Sequence, residues 1–136
     1  MLIIALLFVL SIASARADEM TGNEMLSLCE TNPSFVIGYV TGVTEGASRG
    51  ATTVITKFSV PPAGAIKTLE DAVAWSARLK TATNEIEGYC IPDGVIRAQS
   101  KDVVCKYLKD NPAGRHLSGA FLVRAALSKA WPCADK

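Results

Sequence analysis

The sequence has little with which to build a catalytic centre. Its 136 residues include a single histidine, His116, and no G-x-S-x-G, H-E-x-x-H or phosphate-loop spacing occurs. A serine or cysteine nucleophile needs a nearby base and a group that orients that base. We therefore predict no catalytic residue, no cofactor and no bound metal, and we expect His116 to cap or pack at a turn. A hydrolase that uses His116 as its base is the enzymatic alternative.

The chain also lacks an excess of charge of either sign. Lys and Arg number 14 and Asp and Glu number 13, which gives a net charge of +1. Binding to nucleic acid or to an anionic lipid surface draws on clustered positive charge, and the sequence contains no basic tract. We therefore expect neither a nucleic-acid partner nor a membrane partner for the mature protein.

The amino terminus resembles a secretory signal peptide, although no basic residue precedes its apolar run. Residues 2–12 are almost wholly apolar but are too few to span a bilayer comfortably. Small residues follow and match an A-x-A cleavage site that ends at Ala17. We therefore predict a signal peptide over residues 1–17 and one mature domain over residues 18–136. An uncleaved membrane anchor is the alternative.

Four cysteines lie in the predicted mature domain: Cys29, Cys90, Cys105 and Cys133. An even number of cysteines behind an export signal indicates two disulfides. A zinc site would have to collect its ligands from distant points, because no two cysteines form a C-x-x-C pair. Two disulfides are therefore predicted, with a zinc site and free buried thiols as the alternatives.

Capping and stop signals predict two helices at the start of the domain. Thr21 and Glu24 have the spacing of a capping box, in which each side chain satisfies a backbone N–H of the other. Asn32-Pro33 ends this helix and opens the next. In the second helix Gly38 and Gly42 lie four residues apart. We predict that a neighbouring helix approaches this face closely within the core.

The middle of the chain has a mixed pattern. Residues 52–60 are rich in β-branched side chains, but a single strand would have no partner in this chain. We therefore predict a helix extension or an irregular segment that closes at Pro61-Pro62. A third helix is predicted from about Leu69 to Asn84, with Thr68 as its N-cap and Gly88 as the break that follows.

The stretch from Cys90 to Cys133 predicts two antiparallel helices. Asp93 is the predicted cap of the first helix, Asn111-Pro112 stops it, and Ser118 is the predicted cap of the second. Two helices joined by so short a link lie antiparallel. The sequence therefore predicts an all-α bundle of four to five helices that ends in a helical hairpin.

The hairpin geometry favours one disulfide pairing among the three that four cysteines allow. In an antiparallel hairpin the start of the first helix lies beside the end of the second. Cys90 precedes one and Cys133 follows the other, so we pair Cys90 with Cys133. Cys29 is then left to pair with Cys105 and would fasten the first helix to the hairpin.

Polar residues at the two ends of the hairpin are the candidate partner contacts. Arg115 and His116 lie in its predicted turn, and Asp93 precedes its first helix. Helix capping explains Asp93, and turn packing explains His116, without any partner.

Several short motifs of the chain occur in a specific order. They are Gly38-Tyr39-Val40-Thr41-Gly42-Val43, Cys90-Ile91-Pro92-Asp93-Gly94-Val95, Val104-Cys105-Lys106-Tyr107-Leu108, Asn111-Pro112, Arg115-His116 and Trp131-Pro132-Cys133. In this order the chain resembles the Rap/Tai group of small periplasmic immunity proteins linked to type VI secretion. The resemblance covers most of the predicted helices.

The resemblance implies an all-helical periplasmic protein, often a homodimer, that inhibits a secreted cell-wall amidase by filling its active-site cleft. The chain departs from the group where a cysteine often precedes the Gly-Tyr pair, since Phe35-Val36-Ile37 stands there instead. Residues 47–88 are also more numerous than the resemblance leads us to expect, which allows a different partner surface. A small periplasmic stress or chaperone-like helical protein is the alternative, and it would expose apolar surface on acidification or reduction.

Overall fold

The structure, a computed structural model, describes residues 19–58, 61 and 63–133. Five α-helices account for most of these residues, and no strand occurs among them. The helices are α1 (Gly22–Thr31), α2 (Pro33–Phe58), α3 (Leu69–Glu87), α4 (Arg97–Asp110) and α5 (Gly119–Ala130), with a 3-10 turn at Pro112–Gly114. The predicted all-α bundle is therefore confirmed. The predicted signal peptide and its cleavage site lie outside the described residues.

Side-chain caps begin three of the helices where the sequence predicts them. Thr21 Oγ1 accepts a hydrogen bond from the Glu24 N–H (3.4 Å), and the Glu24 carboxylate accepts one from the Thr21 N–H (2.7 Å). Thr68 and Asp71 form the same reciprocal pair at α3, and the Ser118 hydroxyl caps α5. These caps satisfy N–H groups that the first turn of a helix leaves without a partner.

Helix α2 continues through the segment of mixed pattern. The side-chain oxygen of Asn32 accepts a hydrogen bond from the N–H three residues further on (3.2 Å), and the helix then runs to Phe58. The helix-extension alternative is therefore correct. The hydroxyls of Thr53 and Thr56 donate to carbonyl oxygens one turn earlier (2.7 and 2.9 Å), which satisfies these polar groups within the helix. Pro62 of the predicted closing dipeptide lies outside the described residues.

Two glycines of α2 do not have the role that their spacing predicts. Gly38 and Gly42 are exposed, and among the described residues no atom beyond their own helical turns lies within 4 Å of a Cβ placed on either. The buried stripe of α2 runs through Val36 and Val40, and a residue two positions from that stripe lies about 200° around the helix. The prediction of close helix packing at Gly38 and Gly42 is therefore wrong, because this face points away from the core.

Close backbone approach occurs instead where α1 and α5 begin. The Gly22 N–H donates to Leu117 O (3.1 Å), and the Gly119 N–H donates to Met20 O (2.6 Å). A Cβ on Gly119 would lie 2.9 Å from Met20 O, closer than a side chain tolerates. The absence of a side chain at Gly119 therefore allows backbone hydrogen bonds to join the two helix starts.

Helix α4 begins later than the sequence predicts. The chain turns at Gly94, which has φ 89°, and the helix starts at Arg97. The Gln99 side chain accepts a hydrogen bond from the Ile96 N–H (2.9 Å) at the new start. The prediction that Asp93 caps this helix is therefore wrong, because the turn at Gly94 separates Asp93 from the first helical turn.

The disulfide-clamped hairpin at the carboxyl end is confirmed. Helices α4 and α5 pack against each other, and Cys90 is bonded to Cys133 with their Cα atoms 4.9 Å apart. The Cys90 N–H also donates to Trp131 O (2.8 Å). A second disulfide joins Cys29 of α1 to Cys105 of α4, with a Cα separation of 6.0 Å. Three of the five helices are thereby fastened together covalently.

The core lies where α1, α4, α5 and the first half of α2 meet. Its buried residues are Met25, Val36, Val40, Tyr89, Val104, Leu108, Leu122, Val123, Ala126 and Leu127. Helix α3 packs against α2 and adds no apolar residue to this cluster, since its buried residues are Thr83 and Glu87. We call residues 47–87, which comprise the second half of α2, the connection and α3, the arm.

Candidate functional site

Arg115, the first candidate partner contact, is engaged within the protein. Its Nε donates to Leu108 O (2.6 Å) and its Nη2 donates to Lys109 O (2.9 Å). The last carbonyl groups of a helix lack partners within the helix, and a basic side chain can satisfy them. The Arg115 backbone oxygen also accepts a hydrogen bond from the Asn23 N–H (3.0 Å). Arg115 therefore stabilises the end of α4 and its contact with α1.

His116 lies exposed beside Arg115 in the hairpin turn. Its Nδ1 lies 3.0 Å from Ala113 O, three residues earlier in the same turn. This contact matches the capping or packing role that the sequence analysis gives to His116. The rest of the imidazole is accessible to a partner.

Asp93, the third candidate, pairs with the arm. Its carboxylate accepts a hydrogen bond from Lys80 Nζ (2.7 Å), and the two side chains are 92% and 60% exposed. The hydrogen bond from Lys80, and then the charge of Lys80, hold the pKa of the Asp93 carboxyl below its usual value. Exposed ion pairs of this kind contribute little to stability, so Asp93 remains available at the surface.

The structure does not bring the three candidates together. Asp93 precedes α4, whereas Arg115 and His116 follow it. A helix rises 1.5 Å per residue, so the 14 residues of α4 separate the two ends by roughly 21 Å. A single compact contact cannot be centred on all three residues.

The arm carries apolar side chains on its surface. Leu69 is 82% exposed, Val73 is 59% exposed, and Val54 is 53% exposed. Helical periodicity places Leu69 and Val73 on one side of α3, and their exposure shows that no described helix covers this side. Trp75 is half-buried and lines a cavity of about 270 Å³ together with Ile66 and Pro61.

A second cavity, of about 260 Å³, lies between α2, α3 and the segment that follows α3. Six of its seven lining residues are polar: Thr44, Glu45, Ser48, Asn84, Glu87 and Tyr89. We call it the α2–α3 cavity. Glu87 and Tyr89 are only 6% and 2% exposed. Glu87 Oε1 and the Tyr89 hydroxyl have no hydrogen-bond partner in the described part of the chain.

No sequence motif singles out Glu87 or Tyr89. The nearby signal is Gly88, the predicted break, which ends α3 with a left-handed backbone (φ 77°). That turn leaves a carboxylate on the last helical residue and a phenol just after the glycine. Their burial depends on α2, more than 30 residues earlier in the chain, which no local pattern reports.

Two kinds of site receive no support within residues 19–58, 61 and 63–133. No group of three or more His, Cys, Asp or Glu side chains there is arranged to hold a metal ion. None of the helices in these ranges is both long and apolar enough to cross a membrane.

Comparison with known proteins identifies the family. The profile of the Rap1a immunity proteins matches residues 21–133, which begins at the cap of α1 and ends at the last cysteine. No curated protein and no solved structure matches the chain significantly. Because the family match covers all five helices and both disulfides, the chain belongs to the Rap1a immunity proteins.

Proposed function

We propose that this protein is a periplasmic immunity protein that binds a secreted cell-wall amidase and blocks its active-site cleft. The family match over residues 21–133 carries the proposal. The two disulfides support it, because such bonds form and persist in oxidising compartments such as the periplasm. In this proposal residues 1–17 are the signal peptide that directs export and is then removed.

The scaffold suits inhibition by occlusion because it is rigid on one side. The disulfides close segments of 76 and 43 residues, and backbone hydrogen bonds join the starts of α1 and α5. A preorganised surface loses less conformational freedom on binding than a mobile one. The crosslinked helices therefore do not have to order themselves in the complex, whereas the arm, which contains no disulfide, does not share this advantage.

We expect the toxin to contact the arm. Leu69 and Val73 present apolar surface there, and contiguous exposed apolar surface is typical of interaction sites. Of the three candidates from the sequence, Asp93 adjoins the arm through Lys80 and joins this proposed face. His116 lies at the opposite end of α4, and the guanidinium of Arg115 is engaged by backbone carbonyls.

A homodimer is the second part of the proposal. Gly38, Gly42, Gly46 and Gly50 recur every four residues on α2. All four are exposed, and Cβ atoms placed on them would meet no neighbour within 4 Å in the part of the chain that the structure describes. Small residues at such spacing let two helix backbones approach closely. This row of glycines supports contact between the α2 helices of two copies of the protein. Sedimentation should show a dimer that Gly42→Leu converts to a monomer, and a monomeric wild-type protein would contradict this part.

The function is tested by purifying the exported protein with the peptidoglycan amidase encoded nearest to its gene. We expect a stable complex at equal stoichiometry and loss of peptidoglycan hydrolysis. Leu69→Asp combined with Val73→Asp should weaken the complex strongly, whereas His116→Ala should leave it intact.

Two results separate the function from the contact face. If the arm variant still inhibits and His116→Ala does not, the proposed face is wrong while the immunity function stands. If the wild-type protein neither binds nor inhibits the amidase, the amidase target is wrong. Capture of unfolded proteins, with dye binding that rises on acidification, would then favour the chaperone-like alternative.

A further inference from the structure

The α2–α3 cavity is lined by acidic side chains and by no basic one. Glu45 lies at its rim and pairs with Arg97 (2.9 Å), whose side chain is 71% exposed. Glu87 lies deeper, and among the described residues no salt bridge reaches its carboxylate. Arg124 approaches from the other side but donates to the backbone oxygen of Glu87 (3.3 Å). The cavity therefore contains a buried carboxylate that forms no salt bridge with a described side chain, and its Oε1 has no hydrogen-bond partner there, although the Arg124 charge lies nearby.

Tyr89 adds a second buried polar atom to the same cavity. Its hydroxyl lies close to the Glu87 carboxylate and interacts with it, but no other described residue offers the hydroxyl a hydrogen-bond partner. Burial first, then the Glu87 charge and the hydrogen-bonding interaction with the Glu87 side chain, raise the pKa of the Tyr89 hydroxyl, and the nearby charge of Arg124 lowers it. The hydroxyl therefore stays protonated, and its oxygen has lone pairs free to accept. Buried acceptors normally have partners, and leaving them without one is unfavourable.

The size and lining of the cavity limit what it can hold. Its volume of about 260 Å³ is below the roughly 300–1,000 Å³ of clefts that hold drug-sized ligands. Its lining offers carboxylate, hydroxyl and amide oxygens as acceptors. A group that fits is small, positively charged and rich in N–H donors. An ammonium group has three such donors and a guanidinium group has five.

We propose that the α2–α3 cavity binds an organic cation, an ammonium or guanidinium group, with Glu87 as its counter-ion and Tyr89 as a second acceptor. Hydrogen bonds between ionised partners are stronger than neutral ones, and this cation would give both buried atoms the partner they lack. The group can come from a basic side chain of a protein partner or from a small free amine. The inference does not depend on the identity of the toxin.

The test titrates methylguanidinium and propylamine into the exported, oxidised protein and follows the backbone amide signals by nuclear magnetic resonance. Saturable shifts should appear at Glu87, Tyr89 and Ser48, and uncharged propanol and anionic propionate should produce none. Glu87→Gln, which keeps the shape of the side chain, should weaken binding roughly ten- to hundredfold. Tyr89→Phe should weaken it less, because it removes only a neutral acceptor.

Glu30→Gln is the matched control, because Glu30 is exposed on α1 and does not line the cavity. It should leave the affinity unchanged. Binding of the small cations only in the millimolar range would indicate a group delivered by a larger partner, whereas micromolar binding of spermidine would indicate a free amine. The proposal is overturned if no saturable shift appears, or if folded Glu87→Gln and Tyr89→Phe both bind as the wild type does.

Discussion

Helix α2 passes through two different environments along its length. Near its start Val36 and Val40 are 0% and 1% exposed, whereas Val54 near its end is 53% exposed. The first two pack among α1, α4 and α5, while the end of α2 packs with α3. Burial of a large apolar side chain contributes roughly 1.5–3 kcal/mol. The start of α2 gains this contribution at several positions, and its end gains much less.

The crosslinks follow the same division. Cys29–Cys105 and Cys90–Cys133 both lie outside the arm, and the buried residues of α3 are the polar Thr83 and Glu87. Regions with few buried apolar contacts open at a lower free energy than the core does. We therefore expect the arm to open locally while the crosslinked helices stay folded, and the same arm carries the proposed contact face.

Removing a disulfide should have the largest effect and should spare the arm. In the chain-entropy description, a bond that closes 76 residues stabilises the fold by about 4.5 kcal/mol. The double variant Cys29→Ala with Cys105→Ala should lose about that much free energy of unfolding in urea. Hydrogen exchange of the α3 amides should change little, because they already open locally. Equal acceleration in α3 and α5 would show that arm and core open as one unit.

Two leucines, one in the core and one in the arm, test whether single side chains contribute differently to stability in the two regions. Leu108 is 0% exposed and Leu69 is 82% exposed. Leu108→Ala should lower the free energy of unfolding by about 2–5 kcal/mol, because it removes apolar contacts and leaves a cavity. Leu69→Ala, the matched change in the arm, should alter it by less than about 0.5 kcal/mol. Similar losses for both variants in urea denaturation would mean that the arm is packed as tightly as the core.

A pair of glycines should give effects of opposite sign. A Cβ on Gly119 would lie 2.9 Å from Met20 O, whereas one on Gly50 in α2 would meet no described neighbour within 4 Å. Gly119→Ala should destabilise the protein by about 1–3 kcal/mol through overpacking. Gly50→Ala should stabilise it by about 0.5–1 kcal/mol, because alanine favours the helix. Alanine is also small enough to preserve a helix contact in the proposed dimer. Thermal unfolding measures both, and two shifts of the same sign would contradict the assignment.

What the sequence could predict depended on the range of the interactions. The caps at Thr21, Thr68 and Ser118 involve neighbours three residues away, so the spacing alone indicates them. The Cys90–Cys133 bond follows from the short link between α4 and α5, which leaves little choice of geometry.

Other features depend on which elements meet in three dimensions. The spacing of Gly38 and Gly42 indicates a shared helix face, but not whether that face is buried. The cavity around Glu87 and Tyr89 requires α2 to lie beside the end of α3. Likewise, Asp93 pairs with Lys80, which lies 13 residues earlier in the chain, and does not cap α4 as the local pattern suggests.

Lowering the pH should affect the crosslinked helices and the arm differently, and this is the smallest effect that we predict. The pKa of Glu24 in α1 is lowered by hydrogen bonds from the Thr21 N–H and then the Thr21 hydroxyl. The pKa of Asp71 in α3 is lowered by hydrogen bonds from the Lys67 N–H and then from Thr68. A carboxyl whose pKa falls on folding stabilises the fold above its unfolded value, and this contribution is lost as the pH drops through the folded value. The ordinary values are 4.5 for Glu24 and 3.8 for Asp71, so both contributions are complete at pH 7 and decline as the pH falls below these values towards the lowered pKa of each folded carboxyl.

The two caps should nevertheless report on different regions. Glu24 begins the helix that Cys29 fastens to α4, so Glu24→Gln should lower the global unfolding midpoint at pH 7 and reduce its fall on acidification. Asp71 begins α3, so Asp71→Asn should speed hydrogen exchange in the first turn of α3 and leave the global midpoint unchanged. Measuring both variants at pH 7 and pH 3 gives the comparison, since each difference from wild type should shrink at pH 3. If Asp71→Asn shifted the global midpoint as much as Glu24→Gln does, the first turn of α3 would belong to the same cooperative unit as the crosslinked core.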